Sequence, residues 1–216
     1  MPQLPFTREQ FFAVFGEYNL AVSPAQVVAV LMGLAMIASL LRPSRRGDRL
    51  IGAGLAVMWI WTGIGYHAMH FSAINTAAFI FAGVFVLEGV LLLRVAVVRG
   101  GLAFRPGREP AHWLGWTLIA YSLAVYPLIG LGSGHAYPQI PMFGITPCPV
   151  TLFTLGLLLM AVPARPGLLA IPVLWSLVGG SAAVLLDVPQ DWPLLFSGVA
   201  AISALMWRRW SRLKVA

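Results

Sequence analysis

Charged residues and cysteines are scarce in this chain of 216 residues. Charged residues make up 10% of it and hydrophobic residues 59%, whereas soluble globular chains carry about a quarter charged residues. So few charges cannot form a water-facing surface, which excludes soluble enzyme folds, disordered tails and disulfide scaffolds. Cys148 is the only cysteine, and this excludes an intrachain disulfide and a two-thiol redox relay. The composition predicts a membrane protein.

Other absences exclude particular classes of membrane protein. The only lysine, Lys214, lies in the basic tail, so no retinal Schiff base can form at membrane depth. The HExxH motif is absent, and Leu131 occupies the position of the first glycine that a GxS nucleophile motif at Ser133 would need. An enzyme is therefore the least favoured interpretation.

Seven apolar stretches have roughly the length that a membrane-crossing helix needs. A bilayer core about 30 Å thick requires roughly 20 apolar residues per helix, and charges, prolines or glycines bound each stretch. The stretches are Pro24–Leu41, Leu50–Phe71, Thr76–Val98, Trp113–Leu131, Val150–Ala164, Leu168–Leu186 and Pro193–Trp207. The fifth and the seventh are short. We predict an all-α, polytopic transmembrane bundle of about seven helices.

The basic residues lie in or beside alternate gaps between these stretches, and only Arg8 lies on the other side. They are Arg42, Arg45, Arg46, Arg49, Arg94, Arg99, Arg105, Arg108, Arg165, Arg208, Arg209, Arg212 and Lys214. By the positive-inside rule these gaps are cytoplasmic, which places the N-terminus outside and the C-terminus in the cytoplasm. Asp187 and Asp191 then lie outside. The net charge of +7 is thus a topology signal, and no nucleic-acid partner is expected.

The segment before the first stretch predicts a short helix of its own. Thr7 and Gln10 have the spacing of a capping box, and Phe6 and Phe11 that of a hydrophobic staple. An aromatic face beside charged residues is typical of an amphipathic helix lying flat on the outer membrane surface, where it can also cover a pocket. The predicted organisation is an interfacial helix at 1–22, a seven-helix transmembrane domain at 23–207 and a basic cytoplasmic tail at 208–216. No cleavable signal peptide is expected.

Glu88 is the only acidic residue inside a predicted crossing. A charged side chain at that depth costs about 2.5–3.5 kcal/mol, so Glu88 must face protein or be protonated. Two interpretations remain open. One is a carboxylate that couples proton or cation movement, and the other is a neutral acid hydrogen-bonded to a neighbouring helix.

Polar and metal-ligating residues concentrate at the predicted outer ends, in YHAMHFSAIN (66–75) and YPLIGLGSGHAYPQIPMFGITPCP (126–149). We expect an outward-facing pocket defined by Tyr66, His67, His70, Asn75, Tyr126, His135, Tyr137 and Cys148, with Glu88 as the midplane polar group. His67 and His70 are three residues apart and so share one face of an α-helix. With His135 and Cys148 they offer ligands for Zn or Cu; the alternative is an interfacial hydrogen-bonding pair. No other cofactor is expected.

Prolines and glycines fill the second of these segments, which is therefore expected to be ordered but irregular. Irregular backbone at membrane depth survives only when it is buried or lines a cavity. The segment is either a re-entrant cover over the outer mouth of the bundle or a compact surface loop.

Three outer stretches carry a family resemblance: FTREQFFAVFGEYN, YHAMHFSAIN, and YPLIG followed by FGITPCPVTLFT. They resemble a domain-of-unknown-function family of small bacterial polytopic inner-membrane proteins, sometimes loosely labelled permeases. The resemblance runs from Phe6 to about Leu186. It implies a multi-pass protein of the bacterial inner (cytoplasmic) membrane, and it brings no established activity and no catalytic residue.

Two functional hypotheses follow for a protein whose constant partner is the lipid bilayer. The first is permease-like handling of a small molecule or ion through the outward-facing pocket. The second is a non-transporting membrane subunit or sensor that binds a metal or a partner protein at the periplasmic face.

Overall fold

The structure, a computed structural model, describes residues 5–133 and 136–213. Helices dominate this part of the chain: α1 (Arg8–Ala21), α2 (Ala25–Leu41), α3 (Arg45–Trp61), α4 (Ala78–Leu92), α5 (Pro110–Ala120), α6 (Tyr126–Gly132), α7 (Pro147–Leu158), α8 (Ala170–Leu185) and α9 (Trp192–Leu213). The predicted all-α fold class is confirmed.

Shorter elements extend or connect these helices. π-Helical turns follow α3, α4 and α5 at Thr62–Ala68, Leu93–Val98 and Tyr121–Val125. Turns of 3-10 helix cover Phe71–Ala73, Pro166–Leu168 and Pro189–Asp191. The two-residue strands β1 (Ala103–Phe104) and β2 (Ala161–Val162) pair antiparallel, with Ala103 opposite Val162.

Four helical segments among the described residues are long and apolar enough to cross a membrane. They are Arg45–Ala73, Ala78–Val98, Pro110–Gly132 and Pro166–Leu185, and they coincide with the second, third, fourth and sixth predicted stretches. Helices α1 and α2 meet at 85° and make a fifth segment if they are taken as one bent span. These lengths and compositions are compatible with a membrane protein.

Helix α7 lies at the centre of the bundle. All 12 of its residues are buried, and it packs against α3, α5, α8 and α9. Apolar side chains occupy every face of this helix, which is the pattern of a helix surrounded by protein. Its 12 residues span about 18 Å, so the predicted fifth crossing is helical over only part of its length. The helix ends at Leu158, and β2 follows.

The chain enters α7 through a buried loop (residues 140–146). Phe143 is 5% exposed; its ring packs edge-on against Phe153, with centroids 5.0 Å apart, and lies against Gly33 of α2, where a Cβ would be only 2.6 Å from it. Gly144 has φ +76°, a backbone conformation that favours glycine. Residues 140–146 of the outer segment therefore run inside the bundle rather than over its surface.

Helix α1 has the predicted N-terminal signature. The Thr7 hydroxyl accepts a hydrogen bond from the Gln10 backbone N–H at 3.2 Å, and the Gln10 side-chain oxygen accepts one from the Thr7 N–H at 2.8 Å. The Phe6 and Phe11 rings stack with centroids 6.0 Å apart. Both the capping box and the aromatic contact expected of a staple are thereby confirmed.

The other end of α1 holds the outer segment in place. The Tyr18 hydroxyl donates to the carbonyl of Ile145 at 2.8 Å. The Asn19 amide donates to the carbonyls of Pro138 and Ile140, at 2.7 and 2.8 Å. Carbonyls in non-helical backbone lack the hydrogen-bond donors that a helix would provide. The Tyr18 and Asn19 side chains supply such donors to three carbonyls of the outer segment.

Charged residues join the interhelical segments at one end of the bundle, which we call the basic end. Asp48 accepts hydrogen bonds from Arg105 at 2.7 and 2.9 Å and from the Phe104 backbone N–H at 2.8 Å. Arg208 of α9 forms an ion pair with Glu109 at 3.0 Å. The start of α3, the gap before α5 and the later part of α9 therefore meet at one end of the fold, and the pairing of β1 with β2 adds the gap after α7.

We predict that Gly156→Ala destabilises the protein by about 1–3 kcal/mol, the usual cost of overpacking a core. A Cβ on Gly156 would lie 2.7 Å from the carbonyl oxygen of Gly115 and 2.8 Å from Ile119 Cγ1, so α5 and α7 would have to separate. Gly83→Ala is the matched control, because a Cβ there meets nothing within 4 Å and alanine favours a helix. Thermal unfolding in detergent measures both, and equal losses of stability would contradict the close approach of α5 and α7.

Candidate functional site

A pocket of about 240 Å³ lies at the end of the bundle opposite the basic end. Parts of α1, α4, α7 and α8 bound it, together with the π-helical continuation of α3. We call it the aromatic pocket because of the rings that line it, which are Phe6, Phe11, Phe15, Tyr66, Phe71, Phe81 and Trp175.

Polar side chains from five parts of the chain interrupt this lining. They are His67, Asn75, Cys148, Ser181 and Asp191. Of the site residues predicted from the sequence, the structure therefore brings Tyr66, His67, Asn75 and Cys148 together in one pocket. The sequence analysis assigned Asp191 only to the outer side and did not recognise it as a site residue.

His67 is completely buried in the wall of the pocket. Neither of its ring nitrogens has a hydrogen-bond partner in the described part of the chain. Its ring meets those of Phe85 and Trp175 edge to face, with centroids 4.7 and 5.0 Å away. A buried polar group without a partner costs about 1–3 kcal/mol, and His67 is one of the residues that line the pocket.

Asp191 immediately precedes α9 and is 2% exposed. The Tyr126 hydroxyl donates a hydrogen bond to its carboxylate, and the Cys148 thiol donates another. Burial raises the pKa of Asp191 to about 6, although both hydrogen bonds act in the opposite direction. At pH 7 the pocket wall therefore carries a mostly ionised carboxylate, and none of the ion pairs among the described residues includes it.

The sequence does contain a signal for Asp191. An acid stands between Pro189 and Trp192, directly before an apolar stretch. An acid in that position has an ordinary role, because negative charge is favourable at the N-terminus of any helix. Only the folded chain distinguishes the two roles, since it places Tyr126 and Cys148 beside the carboxylate.

Two other predicted residues lie away from the pocket cavity. Tyr126 is buried behind Asp191 and contacts it through its hydroxyl. Tyr137 is 48% exposed, and its hydroxyl approaches the backbone carbonyl of Asn19 at 3.4 Å. Tyr137 therefore contributes to the attachment of α1.

His70 and His67 do not share a face, contrary to the prediction. The prediction assumed α-helical spacing, but residues 62–68 are π-helical and His70 follows the end of that turn. His70 Nδ1 lies 2.7 Å from the carbonyl oxygen of Gly65, and its ring lines a separate apolar pocket beside Trp61.

Within residues 5–133 and 136–213, no group of three or more His, Cys, Asp or Glu side chains is arranged to hold a metal ion. His67 and Cys148 share the aromatic pocket, whereas His70 faces elsewhere. His135, the remaining predicted ligand, lies outside the described residues. The Zn or Cu site stays a prediction.

Glu88 is completely buried in α4, and neither of its carboxyl oxygens has a hydrogen-bond partner among the described residues. It does not line the aromatic pocket. Phe85, almost one turn nearer the pocket, contacts His67 and Trp175 at centroid distances of 4.7 and 4.8 Å. We call Phe85, His67 and Trp175 the aromatic floor: His67 and Trp175 line the pocket, and Phe85, which does not line it, packs against both.

The fold and the site define a class of protein: an all-α bundle of apolar helices that encloses a small aromatic pocket with a buried acid in its wall. The chain belongs to a family of unknown function, DUF6064, whose model matches residues 8–214. This confirms the resemblance to a domain-of-unknown-function family. No curated protein and no solved structure matches the chain.

We predict that Asp191→Asn removes a pH-dependent part of the stability. The pKa of Asp191 is about 6 in the folded protein and about 3.9 in an unfolded chain. The folded state therefore holds the extra proton between these values, and stability falls as the pH rises from about 4 to about 6. The loss is of the order of 2–3 kcal/mol.

Thermal unfolding in detergent between pH 4 and pH 7 measures this effect. The other titratable groups that face Asp191 or share its pocket are Tyr66, Tyr121, Tyr126, Cys148 and His67. Only His67 ordinarily titrates in this range, and because Asp191→Asn retains His67, the difference between wild type and variant reports Asp191. Asp187→Asn is the control, because the Asp187 side chain is 71% exposed. A pH profile that Asp187→Asn flattens as much as Asp191→Asn would contradict the assignment.

Proposed function

We propose that the protein is a multi-pass protein of the bacterial inner membrane that binds a small molecule from the outer side. In this proposal the aromatic pocket is the binding site, and there is no open path from it across the membrane. The observation that carries the proposal is the aromatic floor, because Phe85 packs with His67 and Trp175 between the pocket and Glu88. The role is that of a sensor or a membrane subunit.

The proposed topology has seven passes, made by α2, α3, α4, α5 with α6, the buried loop with α7, α8 and α9. The fifth pass contains non-helical backbone, which a bilayer tolerates only where protein surrounds it. The burial of residues 143–158 supports that arrangement. By the positive-inside rule the basic end is cytoplasmic and the aromatic pocket faces outward.

The shape and lining of the pocket support binding of a small molecule. Such sites are usually concave and largely apolar, with a few polar groups that orient the ligand. Here those groups include His67, which has no hydrogen-bond partner among the described residues, and Asp191, which forms no ion pair within that part of the chain. Phe11 and Phe15 place α1 along one wall of the pocket.

Permease-like transport is the second candidate function, and Glu88 favours it. An ionisable residue at membrane depth is a functional hypothesis by default, and both Glu88 oxygens are unpartnered among the described residues. Thr62 Oγ1 in the π-helical turn of α3 is likewise buried without a partner. Under this candidate the aromatic floor opens during transport and connects the pocket with Glu88.

Cysteine accessibility distinguishes the two candidates. In a Cys148→Ser background, we expect Ser181→Cys at the pocket to react with a membrane-impermeant methanethiosulfonate from the outer side only. We expect Glu88→Cys to react from neither side, because the aromatic floor and the surrounding helices exclude the reagent. Labelling in sealed vesicles of both orientations, followed by mass spectrometry, measures this.

The Cys148→Ser parent, which has no cysteine, is the control for labelling. Reaction of Glu88→Cys from either side would show an aqueous path to that depth and favour the permease. Reaction of Ser181→Cys from the cytoplasmic side would contradict the proposed topology.

Filling the pocket tests the binding proposal directly. We expect benzyl alcohol, a small neutral probe, to raise the Tm of the wild-type protein, because a ligand that binds only the folded state stabilises it. Ala182→Phe places a ring in the pocket lining and should abolish this rise. Ala35→Phe, on an exposed face of α2, should retain it. Equal responses from the two variants would count against the aromatic pocket as the binding site.

A further inference from the structure

The wall of the aromatic pocket carries a negative charge that nothing in the described residues balances. Asp191 is 2% exposed, and its hydrogen-bond donors, Tyr126 and Cys148, are neutral groups. A buried charge is costly unless it is paired. A cation in the pocket would therefore be more stable than a neutral molecule of the same shape.

His67, which also lines the pocket, is the second polar group that bears on the ligand. A neutral imidazole has one nitrogen that accepts a hydrogen bond and one that donates. Both are buried and unpartnered among the described residues. A cation that carries N–H groups can donate to the accepting nitrogen and to the Asp191 carboxylate.

The aromatic lining is the third observation. The rings that line the pocket come from Phe6, Phe11, Phe15, Tyr66, Phe71, Phe81 and Trp175. Ring faces attract cations, and the attraction is strongest where water is excluded. Apolar rings also favour a cation with hydrocarbon substituents over a bare metal ion, which would need several oxygen ligands.

We infer that the ligand of the aromatic pocket is a small organic ammonium ion, held by Asp191 and His67 among the aromatic rings. The inference rests on the proposed binding function and names the class of ligand. The pocket volume of about 240 Å³ lies just below the usual range for small-molecule sites, roughly 300–1,000 Å³. It suits an amine with one ring or a short chain.

The experiment compares benzylammonium with benzyl alcohol, which has the same ring and no charge. Calorimetric titration of the full chain in nanodiscs at pH 7 gives both affinities. We expect benzylammonium to bind roughly tenfold or more tightly than benzyl alcohol, because only the cation compensates Asp191. Asp191→Asn should remove this preference while benzyl alcohol still binds, and the exposed control Asp187→Asn should keep it.

A pH series on the wild-type protein tests the same point without any substitution. Lowering the pH from 7 to 5 protonates Asp191, so the preference for benzylammonium should fall. Five other titratable groups face this carboxylate or share its pocket: Tyr66, Tyr121, Tyr126, Cys148 and His67. Of these, only His67 has an ordinary pKa near this range. Asp191→Asn should abolish this pH dependence, and a pH effect of equal size in Asp191→Asn would overturn the inference.

The outcomes separate this inference from the proposed function. Equal affinities for the two probes, or a preference that persists in Asp191→Asn, would overturn the ammonium inference and leave small-molecule binding intact. If equimolar potassium chloride displaces benzylammonium, the pocket binds an inorganic cation, and the ammonium inference is overturned. Absence of binding by both probes, with Ala182→Phe indistinguishable from wild type, would overturn the binding function itself.

Discussion

The complete burial of α7 is the constraint on which the rest of the structure depends. A 12-residue helix inside the bundle cannot reach the far end of the fold, so non-helical backbone must continue its path through the protein. The carbonyls of that backbone need donors, and Tyr18 and Asn19 of α1 supply them. Helix α1 is thereby held across the end of the bundle, where Phe11 and Phe15 line the pocket. The same burial places Cys148, at the start of α7, in the pocket wall.

The π-helical turns arrange the remaining walls. A π-turn inserts extra backbone into a helix and often occurs at functional sites. At the end of α3 it directs both Tyr66 and His67 into buried positions, while His70 faces a different pocket. At the end of α5 the turn precedes Tyr126, whose hydroxyl reaches Asp191. Two π-helical turns therefore position residues of the pocket and its wall. The acid in the wall is Asp191, which directly precedes α9.

Local patterns allowed much of the fold to be predicted. The apolar stretches predicted the positions of the helices, and Thr7 with Gln10 predicted the cap of α1, because both depend on neighbouring residues alone. The candidate site was predicted in part: Tyr66, His67, Asn75 and Cys148 do meet. Asp191 was missed and His70 misplaced, since one depends on contacts between distant segments and the other on a change of helical period.

By itself the sequence determined the composition of the helices, their approximate ends and the clustering of arginines in alternate gaps, because hydrophobicity and charge act residue by residue along the chain. Only the tertiary structure decided which helix would be central, which polar residues would share a pocket and which acid would be buried in the wall of that pocket. Those outcomes depend on packing between segments far apart in the sequence. Asp191 shows the difference most clearly, because its partners Tyr126 and Cys148 are brought to it by α6 and α7.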